Sequence, residues 1–138
     1  MGKTLEVYVD GGSRGNPGEA AIGGVVFLKG KKEPIFTFSK RIGVATNNEA
    51  EYRAVIEALQ LIKEKFGKVE EIRFFMDSQL VVNQLNGFFK VKKGKLREFI
   101  FKIRTLENEL GGRVVYQLVP RKKNTTADKL VNKAFNHI

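Results

Sequence analysis

Three aspartates stand at positions where a chain folded as alternating strands and helices would place its chemistry. They are the only aspartates among 15 acidic residues: Asp10 follows an alternating apolar segment, Asp77 follows an apolar run, and Asp128 begins the last helical pattern. Open α/β sheets carry their functional groups at the carboxyl ends of their strands. Hard divalent cations such as Mg²⁺ need oxygen ligands held in strict geometry. These carboxylates are therefore candidate metal ligands.

Each acidic candidate also has a purely structural interpretation. Asp10 could be a turn residue, Asp77 could cap the next helix, and Asp128 could be a first-turn acid favoured by the helix dipole. Glu51 lies three residues after Asn48, a predicted N-cap, so the pair resembles a capping box. A role in metal binding is favoured because all of these residues are expected at one end of one sheet. Clustered carboxylates repel one another unless cations lie between them.

The hydrophobic pattern predicts the elements that position these residues. Strands are expected over residues 5–10, 20–28, 35–42, 71–76 and 114–119, and helices over residues 49–66, 78–85 and 96–110 and from a cap at Thr125 or Thr126. Short connections make the first three strands an antiparallel meander, and helical crossovers make the other two parallel. The predicted fold class is α/β, a mixed five-stranded sheet with three antiparallel and then parallel strands and helices on both faces.

The amino-acid composition indicates the number of domains, the kind of binding partner and the cellular compartment. A chain of 138 residues that is 42% hydrophobic predicts a single domain over residues 1–138. The net charge of +10 indicates a polyanionic partner, although a merely soluble basic protein would show the same balance. The sequence has no cysteine, no apolar stretch of membrane-spanning length and no signal-like segment. We therefore expect a cytoplasmic monomer without membrane association.

Four motifs in order carry a resemblance to a known family. They are Asp10-Gly11-Gly12-Ser13, Thr46-Asn47-Asn48-x-x-Glu51, Met76-Asp77-Ser78-Gln79 and Ala127-Asp128. Over almost the whole chain this set closely resembles type 1 ribonuclease H. The resemblance implies a ribonuclease H-like fold and an endonuclease that hydrolyses the RNA strand of RNA/DNA hybrids, leaving 5′-phosphate and 3′-hydroxyl ends.

The resemblance also implies roles for individual residues. A set of four carboxylates would be catalytic and would bind two Mg²⁺ ions, with Mn²⁺ as a possible substitute: Asp10, Glu51, Asp77 and Asp128. Contacts to the hybrid are expected from polar groups beside these carboxylates and from a lysine segment: Gly12, Ser13, Asn16, Thr46, Asn47, Asn48, Gln79, Lys90, Lys92 and Lys93.

The loop before Asp128 departs from the family pattern. Many members carry a histidine there, whereas this loop reads Pro120-Arg121-Lys122-Lys123-Asn124, similar to archaeal and some bacterial members. Arginine cannot shuttle protons at working pH, but it can hold a phosphate through two hydrogen bonds. We therefore expect Arg121 to be catalytic, the alternative being one more solvated basic residue. The only histidine, His137, is expected in a frayed tail, and no separate N-terminal hybrid-binding domain is expected.

Two other functional classes remain open from the sequence. A non-catalytic hybrid- or duplex-binding module could keep the fold and the charge, but its mark would be a broken carboxylate set. Integrases, transposases and junction resolvases share the fold, and Thr46-Asn47-Asn48 favours ribonuclease H over them.

Overall fold

A mixed sheet forms the centre of the fold in the computed structural model, which describes residues 2–88, 90–91 and 94–136. The strands are β1 (Thr4–Gly15), β2 (Gly18–Leu28), β3 (Pro34–Ala45), β4 (Glu71–Met76) and β5 (Arg113–Leu118). The helices are α1 (Asn47–Phe66), α2 (Gln79–Leu85), α3 (Lys95–Leu110) and α4 (Thr125–Asn136). The strand order is β3-β2-β1-β4-β5. Strands β1 to β3 pair antiparallel, and β1, β4 and β5 pair parallel, which confirms the predicted fold class.

Helices cover both faces of this sheet. Alternate residues of β1, represented by Leu5 and Val7, are fully buried in the main core together with Val55 and Leu59 of α1. On the other face, α4 packs its apolar residues against Ala21 of β2. Burial of each large aliphatic side chain contributes roughly 1.5–3 kcal/mol, so the two helices are fixed to the sheet by their apolar faces.

Two glycines allow these helices to approach the sheet closely. A Cβ atom on Gly11 would lie 2.4 Å from the carbonyl carbon and oxygen of Ala50 in α1. A Cβ atom on Gly23 would lie 2.7 Å from the carbonyl oxygen of Ala127 in α4. Side chains at these positions would push the helices outward. Because Ala50 precedes Glu51 and Ala127 precedes Asp128, this close packing also sets the position of both acidic residues.

Strand β1 is longer than the sequence predicts. Its end was expected at Asp10, but it continues to Gly15 and forms a hairpin with β2 through the turn at Gly15–Gly18. Its parallel pairing with β4 nevertheless stops at Tyr8. Asp10 therefore lies just beyond the end of the β1–β4 ladder, at the edge where the site was expected.

The predicted cap of α1 is wrong. The N-cap is Thr46, whose Oγ1 accepts a hydrogen bond from the Glu49 amide at 3.1 Å while the Glu49 carboxylate accepts one from the Thr46 amide at 2.8 Å. Asn48 thus lies inside the helix. Glu51 takes no part in capping, and its carboxylate is available for another role.

The starts of α2 and α4 also differ from the prediction. Ser78, not Asp77, is the N-cap of α2, because its side chain accepts a hydrogen bond from the Val81 amide. Helix α4 begins at Thr125, so Asn124 occupies the position before the helix. In the part of the chain that the structure describes, no helix has the length and apolarity needed to cross a membrane.

Candidate metal and nucleic-acid site

Three carboxylates from three elements meet beside the end of β4. Asp10 lies on β1, Glu51 on α1, and Asp77 directly after β4, and each offers an oxygen within 4.8 Å of the other two. They line a cleft of about 470 Å³. Sheet order and helix packing have thus brought together residues that are distant in sequence, as the sequence analysis expected.

Glu51 is held firmly in this cluster. Its side chain is buried, and its Oε1 accepts a hydrogen bond from the Gly11 amide at 2.7 Å. The close approach of α1 to Gly11 makes this bond possible. Because one carboxylate oxygen is fixed by the backbone, the orientation of the other is fixed as well.

Burial and mutual repulsion make the cluster difficult to ionise. Burial is the main cause that raises the pKa of Asp10 to about 7, and the charges of Asp77 and Asp128 add to it. Hydrogen bonds with Glu51 and Gly11 act in the opposite direction and lower this pKa. Burial, followed by the charge of Asp10, raises the pKa of Glu51 well above its usual range. A bound cation would reverse this effect by favouring the charged forms.

Arg121 moderates the pKa of Asp77. Burial raises that pKa, while the Arg121 guanidinium, whose Nε lies 3.7 Å from Asp77 Oδ2, lowers it. This single cation is mostly exposed to solvent, and exposed ion pairs are weak. The all-oxygen donor set fits a hard divalent cation such as Mg²⁺ or Mn²⁺ better than a soft metal.

Asp128 lies at the side of the three clustered carboxylates. It is in the first turn of α4 and lines the same cleft. Its negative charge acts to raise the pKa of Asp10 and of Asp77. All four carboxylates therefore line one cleft, with Asp10, Glu51 and Asp77 clustered within 4.8 Å of one another and Asp128 beside them.

Asn124 is a supporting residue that the sequence analysis missed. It is 1% exposed, and its Nδ2 donates a hydrogen bond to the carbonyl oxygen of Val9 at 2.9 Å. Its own carbonyl oxygen accepts from the Asp128 amide at 3.2 Å. Asn124 thereby links the strand beside Asp10 to the first turn of α4. Its place before that helix was visible in the sequence, but its bond to a residue 115 positions away was not.

Several residues expected to contact nucleic acid form a connected network beside the carboxylates. Asn47 Oδ1 accepts a hydrogen bond from the Ser13 amide at 2.8 Å, and Asn16 Oδ1 accepts one from the Asn47 amide at 3.0 Å. Gly12, Ser13, Asn47 and Asn48 also line the cleft. Because Asn16 and Asn47 use their carbonyl oxygens within the protein, their side-chain NH₂ groups are the ones suited to a ligand.

Of the other predicted contacts, the described residues Thr46, Gln79 and Lys90 do not line this cleft. The Thr46 hydroxyl is used in the helix cap, and Gln79 is exposed at the start of α2. Lys90 lines a separate basic groove with Arg97 and Arg104. Lys92, Lys93 and His137 lie outside the described residues. The cleft also contains residues that the sequence analysis did not select: Arg14, Ser78, Val131, Asn132 and Phe135.

One family model and one mycobacterial protein match almost the whole chain. The family described as reverse transcriptase-like matches residues 8–134. The bifunctional protein Rv2228c of Mycobacterium tuberculosis (strain ATCC 25618 / H37Rv) is 41% identical over 130 residues, a match that covers 94% of this chain and 35% of that protein. The chain thus spans about a third of that protein's length.

Two further relatives match over more of their length. Ribonuclease HI of Halobacterium salinarum (strain ATCC 700922 / JCM 11081 / NRC-1) is 38% identical over 135 residues, covering 98% of this chain and 66% of that protein. The solved structure of LC11-RNase H1 in complex with an RNA/DNA hybrid is 39% identical, covers 96% of each chain and has a TM-score of 0.89.

Proposed function

This chain belongs to the type 1 ribonuclease H family, and we propose that it is a metal-dependent endoribonuclease that hydrolyses the RNA strand of RNA/DNA hybrids. The products would carry 5′-phosphate and 3′-hydroxyl ends. The observation that supports this most strongly is the cluster of Asp10, Glu51 and Asp77, within 4.8 Å of one another. Such a cluster is costly to a folded protein unless cations bind it. The relative LC11-RNase H1 was solved with an RNA/DNA hybrid.

The four carboxylates would hold two Mg²⁺ ions, with Mn²⁺ as a substitute. Asp10 would be the ligand common to both ions, because it lies within 4.8 Å of Glu51 and Asp77 and lines the same cleft as Asp128. When bound, the ions would supply Lewis acidity to the attacking water and neutralise charge on the departing 3′ oxygen. Glu51, fixed by Gly11, would also meet the ribose 2′-hydroxyl beside the scissile phosphate.

The hydrogen-bonded asparagines Asn16 and Asn47 would select the hybrid. The 2′-hydroxyl is the group that distinguishes RNA from DNA at a given site. Asn16 and Asn47 are held by backbone hydrogen bonds, so their NH₂ groups can donate to minor-groove acceptors or ribose oxygens without first being ordered. The second strand would be recognised by its DNA-like path rather than by its sequence.

Arg121 would stabilise negative charge on the scissile phosphate. It lines the cleft, and its weak pairing with Asp77 leaves it free to turn to a phosphate. Arg121→Ala should therefore lower kcat about 10-fold or more, a loss of ~1.4 kcal/mol. Lys122→Ala and Lys123→Ala should instead weaken binding in a salt-dependent way. Steady-state kinetics at several salt concentrations would separate these effects, and an unchanged kcat for Arg121→Ala at saturating hybrid would remove Arg121 from the chemistry.

A substrate panel tests the proposal as a whole. Labelled RNA/DNA hybrid, RNA duplex, DNA duplex and single-stranded RNA are each incubated with the protein, in Mg²⁺ and in EDTA. We expect cleavage mainly of the RNA strand of the hybrid, and only with metal. Equal cutting of the DNA duplex, or undiminished cutting in EDTA, would contradict the proposal. Tight hybrid binding without cleavage under any metal would favour the binding-module alternative.

A further inference from the structure

The cleft that holds the carboxylates extends along β1 to a second cation, Arg14. Arg14, Asn132 and Phe135 line the same space as Asp10 and Asp128. Residues 10, 12 and 14 share one side of this regularly paired strand. With a rise of about 3.3 Å per residue, the Cα atoms of residues 10 and 14 are about 13 Å apart. Arg14 therefore lies farther along the cleft than Asp10, where its guanidinium is over Phe135.

Helix α4 runs beside this part of β1 and supports the arginine. The position of Gly12 faces Val131, and Arg14 lies over Phe135, one helical turn further along. The Arg14 guanidinium carbon is 4.3 Å from the Phe135 ring centroid, and Nη2 donates to Asn136 Oδ1 at 3.5 Å. Phe135 is itself buried within the α4 cluster, so the ring is a fixed platform.

Arg14 has no carboxylate partner in the described part of the chain. None of the ion pairs formed among the described residues involves Arg14. An arginine guanidinium has five N–H donors in a planar fork, and stacking on a ring leaves the edge of that fork directed outward. This is the geometry that recognises a phosphate through two parallel hydrogen bonds.

We propose that Arg14, held on Phe135, is a second phosphate-binding site for the strand that is cut. The inference depends on the proposed function, because it assumes that a phosphate of that strand lies at the carboxylates. A strand that continues along the cleft then brings a neighbouring phosphate to Arg14. This contact would fix the register and contribute affinity, while taking no part in the chemical step.

The test measures binding in Ca²⁺, so that it does not depend on cleavage. The probe is a DNA duplex with a short block of ribonucleotides in one strand, which fixes where the protein binds. In a set of such probes, one phosphate at a time is replaced by a neutral methylphosphonate. Fluorescence anisotropy then gives the affinity of wild-type protein and of Arg14→Ala for each probe. Arg113→Ala is the matched control, because Arg113 is an exposed arginine at the start of β5, the opposite end of the sheet from the carboxylates.

We expect Arg14→Ala to lower the affinity about 10-fold and to reduce the salt dependence by about one phosphate contact. One methylphosphonate near the cleavage position in the ribonucleotide strand should weaken the wild-type complex by a similar factor. The same replacement should not weaken Arg14→Ala further, whereas Arg113→Ala should remain sensitive to it. The proposal would be overturned if each methylphosphonate weakened Arg14→Ala as much as it weakens wild type. It would also be overturned if only methylphosphonates in the all-DNA strand weakened binding of the wild-type protein.

Arg14→Lys distinguishes recognition from structural support. The lysine keeps the charge but loses the stacked fork and the hydrogen bond to Asn136. It should restore part of the sensitivity to the same linkage, whatever its thermal stability, because an ammonium group still binds a phosphate as a point charge. If Arg14→Lys is as insensitive to the methylphosphonate as Arg14→Ala, and both variants have a lower Tm than wild type, Arg14 is only a structural residue. A wild-type protein that neither binds nor cuts a hybrid would refute the proposed function. A wild-type protein that cuts hybrids while Arg14→Ala behaves like Arg113→Ala would refute this inference alone.

Discussion

Replacing Asp10 with asparagine should stabilise the metal-free protein at neutral pH. Asp10 lies against Glu51 and Asp77, so at neutral pH the folded state must either keep a proton in the cluster or place like charges together. Asparagine has nearly the same shape and carries no charge. The substitution therefore removes repulsion that the unfolded chain does not experience.

The size of this effect follows from the pKa of Asp10. Burial and neighbouring carboxylates raise this pKa from 3.8 to about 7 on folding. The folded protein thus binds this proton more tightly than the unfolded chain, and the resulting stability is fully present below pH 3.8 and is lost as the pH rises to 7. At about 1.4 kcal/mol per pH unit, the loss reaches about 4 kcal/mol, or on the order of 10 °C in Tm.

Urea unfolding in EDTA at pH 4, 5.5 and 7 measures this difference. Asp10→Asn and wild type should have similar unfolding free energies at pH 4, and the variant should become progressively more stable than wild type towards pH 7. Mg²⁺ should narrow the gap, because it stabilises wild type by binding. Glu33→Gln, which removes a carboxylate from the exposed turn between β2 and β3, is the control. A variant that is less stable than wild type at pH 7, or a gap that does not depend on pH, would show that Asp10 is not destabilised by its neighbours in the metal-free protein.

Further predictions concern the support of the site. Glu51→Gln should nearly abolish hybrid cleavage, whereas Glu49→Gln should leave both cleavage and Tm almost unchanged, because glutamine also completes a capping box; equal losses of activity would contradict the assignment. Gly11→Ala should lower Tm strongly, because its Cβ would lie 2.4 Å from Ala50, whereas Gly12→Ala would meet only Val131 at 3.9 Å; similar melting curves would be inconsistent with this packing. Asn124→Ala should destabilise the protein by about 1–3 kcal/mol in urea unfolding, because it leaves a buried carbonyl unpaired, and an unchanged midpoint would count against the link.

Strands and helices with a strong local sequence pattern could be predicted from the sequence. Strand β4 was predicted with its observed bounds because its apolar run is short and is followed at once by a helix start. The extension of β1 was missed because Gly11 and Gly12 have little strand propensity, and only pairing with Ile22 and Ala21 of β2 makes them a strand.

The cap of α1 shows a different limit. Thr46 and Asn48 are both good capping residues, and each has a glutamate three residues later, so the sequence supports two capping boxes equally. The structure uses Thr46 with Glu49, while the Gly11 amide binds Glu51. A contact between distant parts of the chain thus decided between two local alternatives.

The four carboxylates could be selected from motifs, but their supporting residues could not. Asn124 acts through Val9, and Arg14 acts through Phe135, pairs that are more than a hundred residues apart. Neither pair belongs to a short motif or follows a helix or strand period. Only the packing of α4 against β1 brings them together.

Locating metal ions in a complex with substrate would test the proposed two-metal site without relying on activity. Crystals of the Asp77→Asn variant, grown with an RNA/DNA hybrid and Mn²⁺, would be measured for anomalous scattering from manganese. We expect two peaks about 3.5–4 Å apart that share Asp10, with a phosphate of the RNA strand between them. A hybrid bound away from the cleft, or a complex with no manganese at the carboxylates, would contradict the account.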